Sequence, residues 1–122
     1  MDKQRELKER LYNFALEIVK LVRALPKEIA GVEIGKQLLK AGTSIAANYE
    51  EATSGFSRAD FVYKLSISFK ESKETHLWLR LLEDSGIVHD STGLVSLIGE
   101  AGEISNILAK SLKTSRSKIE TG

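Results

Sequence analysis

A chain of 122 residues, 42% hydrophobic and 29% charged, reads as one soluble globular domain spanning residues 1–122, with a single core that buries roughly two thirds of the unfolded surface. It has no cysteine, which excludes disulfides and thiolate zinc sites and fits a reducing compartment. Its net charge of +1 and pI of about 7.9 fall short of the pI above ~9 expected of a dedicated nucleic-acid-binding domain.

The chain opens on Met1-Asp2-Lys3-Gln4-Arg5-Glu6, charged helix rather than a signal-peptide core, and no apolar run approaches the ~20 residues of a membrane span. A cytoplasmic protein without membrane contact is expected. Leu7, Leu11, Phe14, Ile18, Val22 and Leu25 recur at spacings of four and three, one face of a first helix. It runs from near Asp2 to Leu25, because Pro26 disfavours helix in the residue before it. Pro26 to Val32 reads as the first connection, punctuated by Gly31.

The second helix carries Ile34, Leu38, Ala41, Ile45, Asn48 and Ala52 on one stripe and closes at Thr53-Ser54-Gly55, where Gly55 suits a left-handed terminal position. Ser57 followed by Asp60 is an N-cap with an acidic residue in the first turn. The third stripe is Phe61, Leu65, Ser68, Ser72, Thr75, Leu79 and Leu82, ended by Asp84-Ser85-Gly86. Asp90 or Ser91 caps a fourth helix with Leu94, Ile98, Ala101, Ser105, Leu108 and Leu112 inward. Nothing reads as a strand. Four long helices on short connections predict an all-α, up-down-up-down antiparallel four-helix bundle.

Three groups of residues stand out against that frame. Asn48, Ser68, Glu71 and Ser72 place polar groups on or beside inner stripes, and a buried Asn48 amide is expected to bond to Ser68, Glu71, Ser72 or Thr75 on the third helix. The third helix also has more apolar surface than one stripe requires: Val62, Tyr63, Ile67, Phe69, Leu77, Trp78 and Leu81 lie off its core face. At least two of Tyr63, Ile67, Phe69 and Trp78 are expected at a contact between copies of the chain. The third group is basic. Lys110, Lys113 and Arg116 recur every third residue and Lys118 follows, and antiparallel order brings them beside Lys3, Arg5, Lys8 and Arg10, at the end away from Glu83, Asp84 and Asp90. This is the candidate nucleic-acid contact.

Catalytic constellations are not recognisable. Neither His76 nor His89 follows a Glu by three residues, as a bundle di-metal site requires. Gly31, Gly35 and Gly42 precede no Gly-Lys-Ser/Thr. Glu50, Glu51, Glu71 and Glu74 read better as partners of nearby lysines and polar side chains than as paired acids. No catalytic, metal or cofactor site and no small-molecule substrate is assigned, and a non-enzyme is expected.

The segment Gln37-Leu38-Leu39, Ser44-Ile45-Ala46-Ala47-Asn48-Tyr49-Glu50-Glu51-Ala52, Asp60-Phe61 to Leu65, and Lys70-Glu71-Ser72-Lys73-Glu74-Thr75-His76-Leu77-Trp78-Leu79-Arg80-Leu81-Leu82 resembles the 23S rRNA intervening-sequence protein family, small bacterial four-helix-bundle proteins. The likeness covers nearly the whole chain, with its specific part in residues 37–82; Ala52 stands where the family commonly has glycine. It implies a ring-like homopentamer. It also implies kinship with accessory variability proteins of diversity-generating retroelements, whose basic surfaces bind nucleic acid and a reverse transcriptase. Two readings follow: an oligomeric scaffold that binds nucleic acid or a nucleoprotein, and an assembly or adaptor module that binds only proteins.

Overall fold

In a computed structural model, which describes residues 2–121, the chain forms four α-helices in antiparallel sequence: α1 (Lys3–Ala24), α2 (Ile29–Thr53), α3 (Arg58–Ser85) and α4 (Thr92–Thr121). No strand occurs among the described residues. The up-down-up-down four-helix bundle is therefore the observed fold. Each start has a local cause. The Asp2 carboxylate accepts the Arg5 amide at 2.8 Å, and the Ser57 hydroxyl accepts the Asp60 amide at 3.1 Å. Before α4, the Asp90 carboxylate accepts the amide of Thr92 at 3.1 Å, and this bond, with a lesser contribution from the Thr92 side chain, holds its carboxyl below the ordinary aspartate range.

Two loop expectations are corrected. The first connection is only Leu25 to Glu28, since α2 begins at Ile29, with the Glu28 carboxylate accepting the Gly31 amide at 3.0 Å. Gly31 is not loop punctuation. It lies in the first turn of α2, where a Cβ would come within 2.7 Å of the Pro26 carbonyl oxygen, so glycine lets the incoming chain pass close. Likewise Gly55 is not left-handed; α2 ends at Thr53 and is capped by Ser54, with φ −103°. The left-handed glycine is Gly86, φ 74°, at the end of α3.

The inner stripes close on one core. Leu11, Phe14, Ile18, Leu38, Ile45, Leu65, Leu79, Leu82, Leu94, Ile104, Leu108 and Leu112 are buried together, each removal of such a side chain from water contributing about 1.5–3 kcal/mol. Ser68, Ser72 and Thr75 on α3 and Ser105 on α4 are buried at its centre. All are satisfied. Ser68 donates across to the Ile45 carbonyl of α2 at 2.8 Å, and Thr75 donates to its own helix at the Glu71 carbonyl, 2.8 Å. Ser72 donates to the Phe69 carbonyl at 2.6 Å, which leaves its oxygen to accept from Ser105 at 2.8 Å, because a hydroxyl has one proton to give. These small hydroxyls draw α3 close to both α2 and α4.

The packing around the bundle is uneven. The α2–α3 and α3–α4 seams are the most extensive, α1–α2 is intermediate, and α1 meets α4 at few points. Glycines explain the α1–α2 contact: a Cβ at Gly42 would lie 2.9 Å from Ile18 Cγ2, and one at Gly35 would lie 3.1 Å from Leu25 Cδ1. With α1 sunk onto α2 and α4 bonded to α3, the fourth seam stays open.

Candidate nucleic-acid interface

The open α1–α4 seam is bridged by one forked ion pair. Arg10 Nε and Nη2 donate to the two Glu100 carboxylate oxygens at 2.8 and 2.7 Å, and Glu103 lies 3.7 Å from Nη2. The bond to Glu100 raises the guanidinium pKa against the opposing effect of partial burial. This bridge separates two clefts of different character. Toward the start of α4, a cleft of about 690 Å³ is lined by Glu6, Glu9, Glu17, Glu100 and Glu103. Toward its end, a cleft of about 890 Å³ is lined by Lys3, Arg10, Arg58, Lys110 and Lys118, with Glu6 the acidic residue on its wall.

The second cleft is built by all four helices. Lys3 comes from the first turn of α1 and Arg58 from the first residue of α3, just after the Ser57 cap. Lys110 and Lys118 project from the last turns of α4, eight residues apart and so on adjoining faces of the helix. Tyr49 and Phe61 line the cleft, with Ser111, Thr114 and Ser115 adding hydroxyls. The Tyr49 ring is buried, and burial followed by the nearby Asp2 charge pushes its phenol pKa up. Lys3, Arg58, Lys110 and Lys118 have no carboxylate partner among the described residues. Such cations retain their field for an incoming anion.

The basic run of α4 does not form one patch. Lys110 and Lys118 face the cleft, whereas Lys113 and Arg116 line a separate shallow groove with Phe69, Ala109 and Leu112. Steps of three residues rotate the side chain about 60° each around the helix, so Lys110 and Arg116 diverge. Arg58 escaped the sequence reading because only topology brings it to this end. Its signal was its place one residue after a cap.

The polar group is also rearranged. Asn48 is half-buried, and its amide donates to the Ser44 carbonyl, 2.9 Å away in its own helix. The expected bond to α3 is absent; the backbone carbonyl one turn back satisfies the amide locally, and Ser68 makes the cross-helix link instead. Glu71 is half-buried; burial and then Glu74 push its carboxyl pKa up, against Lys40 and Lys70. The four carboxylates flagged in the sequence are dispersed: Glu50 meets Lys8 at 3.8 Å, Glu51 meets Lys64 at 2.8 Å, and Glu74 accepts from Trp78 Nε1 at 3.2 Å. Among the described residues no three His, Asp or Glu side chains converge as metal ligands, and no helix is long and apolar enough to cross a membrane.

The surplus apolar residues of α3 separate into two kinds. Phe69 and Trp78 lie partly buried against the bundle's own core. Tyr63, Ile67, Leu77 and Leu81 fall on a second stripe opposite the core face, with Tyr63 63%, Leu77 49% and Leu81 41% exposed. Spacings of four and three, with Lys70 and Glu74 between, keep this stripe in line along the helix.

Comparison with known proteins agrees with this architecture. The crystal structure of a protein with unknown function from the S23 ribosomal protein family, from Bacteroides thetaiotaomicron VPI-5482, superposes with a TM-score of 0.83 at 37% identity, covering 92% of this chain and 99% of that one. No curated protein matches the chain. The model of the 23S rRNA-intervening sequence protein family matches residues 3–110, from the first residue of α1 to the Lys110 that lines the basic cleft. The chain belongs to the 23S rRNA-intervening sequence protein family.

Proposed function

We propose that this protein is a non-enzymatic, homo-oligomeric scaffold that binds nucleic acid along the basic cleft between α1 and α4. One observation carries the reading: Lys3, Arg58, Lys110 and Lys118, all without carboxylate partners among the described residues, converge from three helices on one open cleft. Hydroxyls at Ser111, Thr114 and Ser115 add neutral donors suited to phosphate oxygens. The net charge of +1 does not oppose this, because local potential rather than net charge governs encounter, and the cations of this cleft outnumber its one acidic residue, Glu6. Repetition of the cleft around a ring, the homopentamer that the family resemblance implies, would multiply weak contacts along one strand. The exposed stripe of α3 supports self-association and equally suits a protein partner, so the adaptor reading is what remains if nucleic acid does not bind.

The test compares Lys110→Glu, Lys118→Glu with Lys27→Glu, an exposed charge in the connection at the far end of the bundle. The double variant is expected to bind a generic RNA at least about tenfold more weakly at low salt, with the log K against log salt slope flattened by about 1.5. Lys27→Glu should leave both nearly unchanged. Equal losses in both variants would remove the cleft as the binding site.

A further inference from the structure

The loop from Ser54 to Ser57 carries the most exposed large apolar side chain among the described residues, Phe56, which is 101% exposed. Its setting is built rather than slack. The Gly55 amide bonds back to the Ala52 carbonyl at 3.3 Å, and Ser57 is fixed by its cap to Asp60. A Cβ at Gly55 would press against Asp60 Cβ at 3.2 Å, so the chain folds tightly there and turns the next ring outward. Two residues later comes Arg58, and on the first turn of α3 comes Phe61; both line the basic cleft. A bare aromatic ring thus stands at the end of the bundle where unpaired cations collect.

We infer that the strand bound here is single-stranded, with its phosphates held by Lys3, Arg58, Lys110 and Lys118 and a base stacked on Phe56; this rests on the nucleic-acid reading above. The chemistry separates the two forms of nucleic acid. A duplex keeps its bases stacked on one another and offers Phe56 no free face. A single strand exposes a π-face at every nucleotide, and aromatic platforms beside basic grooves exploit this without reading sequence. Single-strand preference is therefore a consequence of Phe56, while the salt dependence comes from the cations.

Fluorescence anisotropy of the full chain with a short labelled RNA, alone and annealed to its complement, tests the inference. The single strand is expected to bind at least about tenfold tighter than the duplex. Phe56→Ala should weaken single-strand binding on the order of tenfold with the salt slope unchanged, and Phe56→Trp should retain it. The ring touches no core residue, so circular dichroism should show all variants equally helical. Equal affinity for the duplex, or no effect of Phe56→Ala, overturns the single-strand assignment and leaves the cleft as a general nucleic-acid site. Binding of neither RNA at low salt overturns both.

Discussion

Replacing Gly42 with valine is expected to lower the melting midpoint by about 10 °C, while replacing Gly99 with alanine raises it by a few degrees. Both positions are helical glycines, and glycine within a helix costs roughly 0.5–1 kcal/mol relative to alanine. They differ in what faces them. A Cβ at Gly42 meets Ile18 Cγ2 at 2.9 Å, Cγ1 at 3.0 Å and Cβ at 3.3 Å, the stiff base of a fully buried, β-branched side chain. No rotamer change relieves that contact, so α1 must shift off α2 at about 2–3 kcal/mol. A Cβ at Gly99 meets nothing within 4 Å, and alanine there gains helix propensity without crowding. Thermal denaturation followed by circular dichroism measures both signs. Ile18→Ala should cost less in the Gly42→Val background than in the unaltered chain, as two residues in contact are not additive. A neutral Gly42→Val would mean that α1 does not rest on this glycine.

Charging the outward stripe of α3 is expected to abolish the proposed self-association without unfolding the chain. Leu77→Glu with Leu81→Lys removes two half-exposed apolar side chains and installs an i,i+4 pair in its favoured orientation, so the helix itself gains a few tenths of a kcal/mol. In an assembly the same change buries two charges in an apolar contact. Light scattering should give a multiple of 13.5 kDa for the unaltered chain, fivefold for the proposed pentamer, and 13.5 kDa for the variant at unchanged helicity. An unaltered chain that runs at 13.5 kDa at micromolar concentration would refute self-association through this face.

Most of the fold was legible because its causes are local. Pro26 and Ser57 mark helix boundaries by rules that involve only their neighbours, and the four stripes follow from helical period alone. Misreadings occurred where one residue type serves two purposes. Gly31 and Gly55 look like breakers, yet Gly31 is a close-approach residue inside α2, and Gly86 takes the left-handed turn. Asn48 sits on an inner stripe, but an asparagine in a helix can return its amide to the carbonyl four residues back, which periodicity does not reveal. The basic cleft was half legible: antiparallel order placed the end of α4 beside the start of α1. The division of Lys110 and Lys118 from Lys113 and Arg116 follows from the rotation of side chains around α4, and Arg58 arrives because the α2–α3 connection lies at the same end of the bundle. The seating of the outer helices on either side of the cleft was not legible either, since it rests on glycines of α2 against α1 and on Ser72 of α3 bonded to Ser105 of α4.

The dependence of RNA affinity on salt tests the binding cleft most directly. Four cations without carboxylate partners, each neutralising one phosphate, correspond to a slope of log K against log salt of roughly −3 per protomer for a single strand. The unaltered chain is expected to show at least that slope, and Lys110→Glu, Lys118→Glu to lose about half of it. No detectable binding at about 50 mM salt, or a slope that the double variant leaves unchanged, would contradict a nucleic-acid site between α1 and α4.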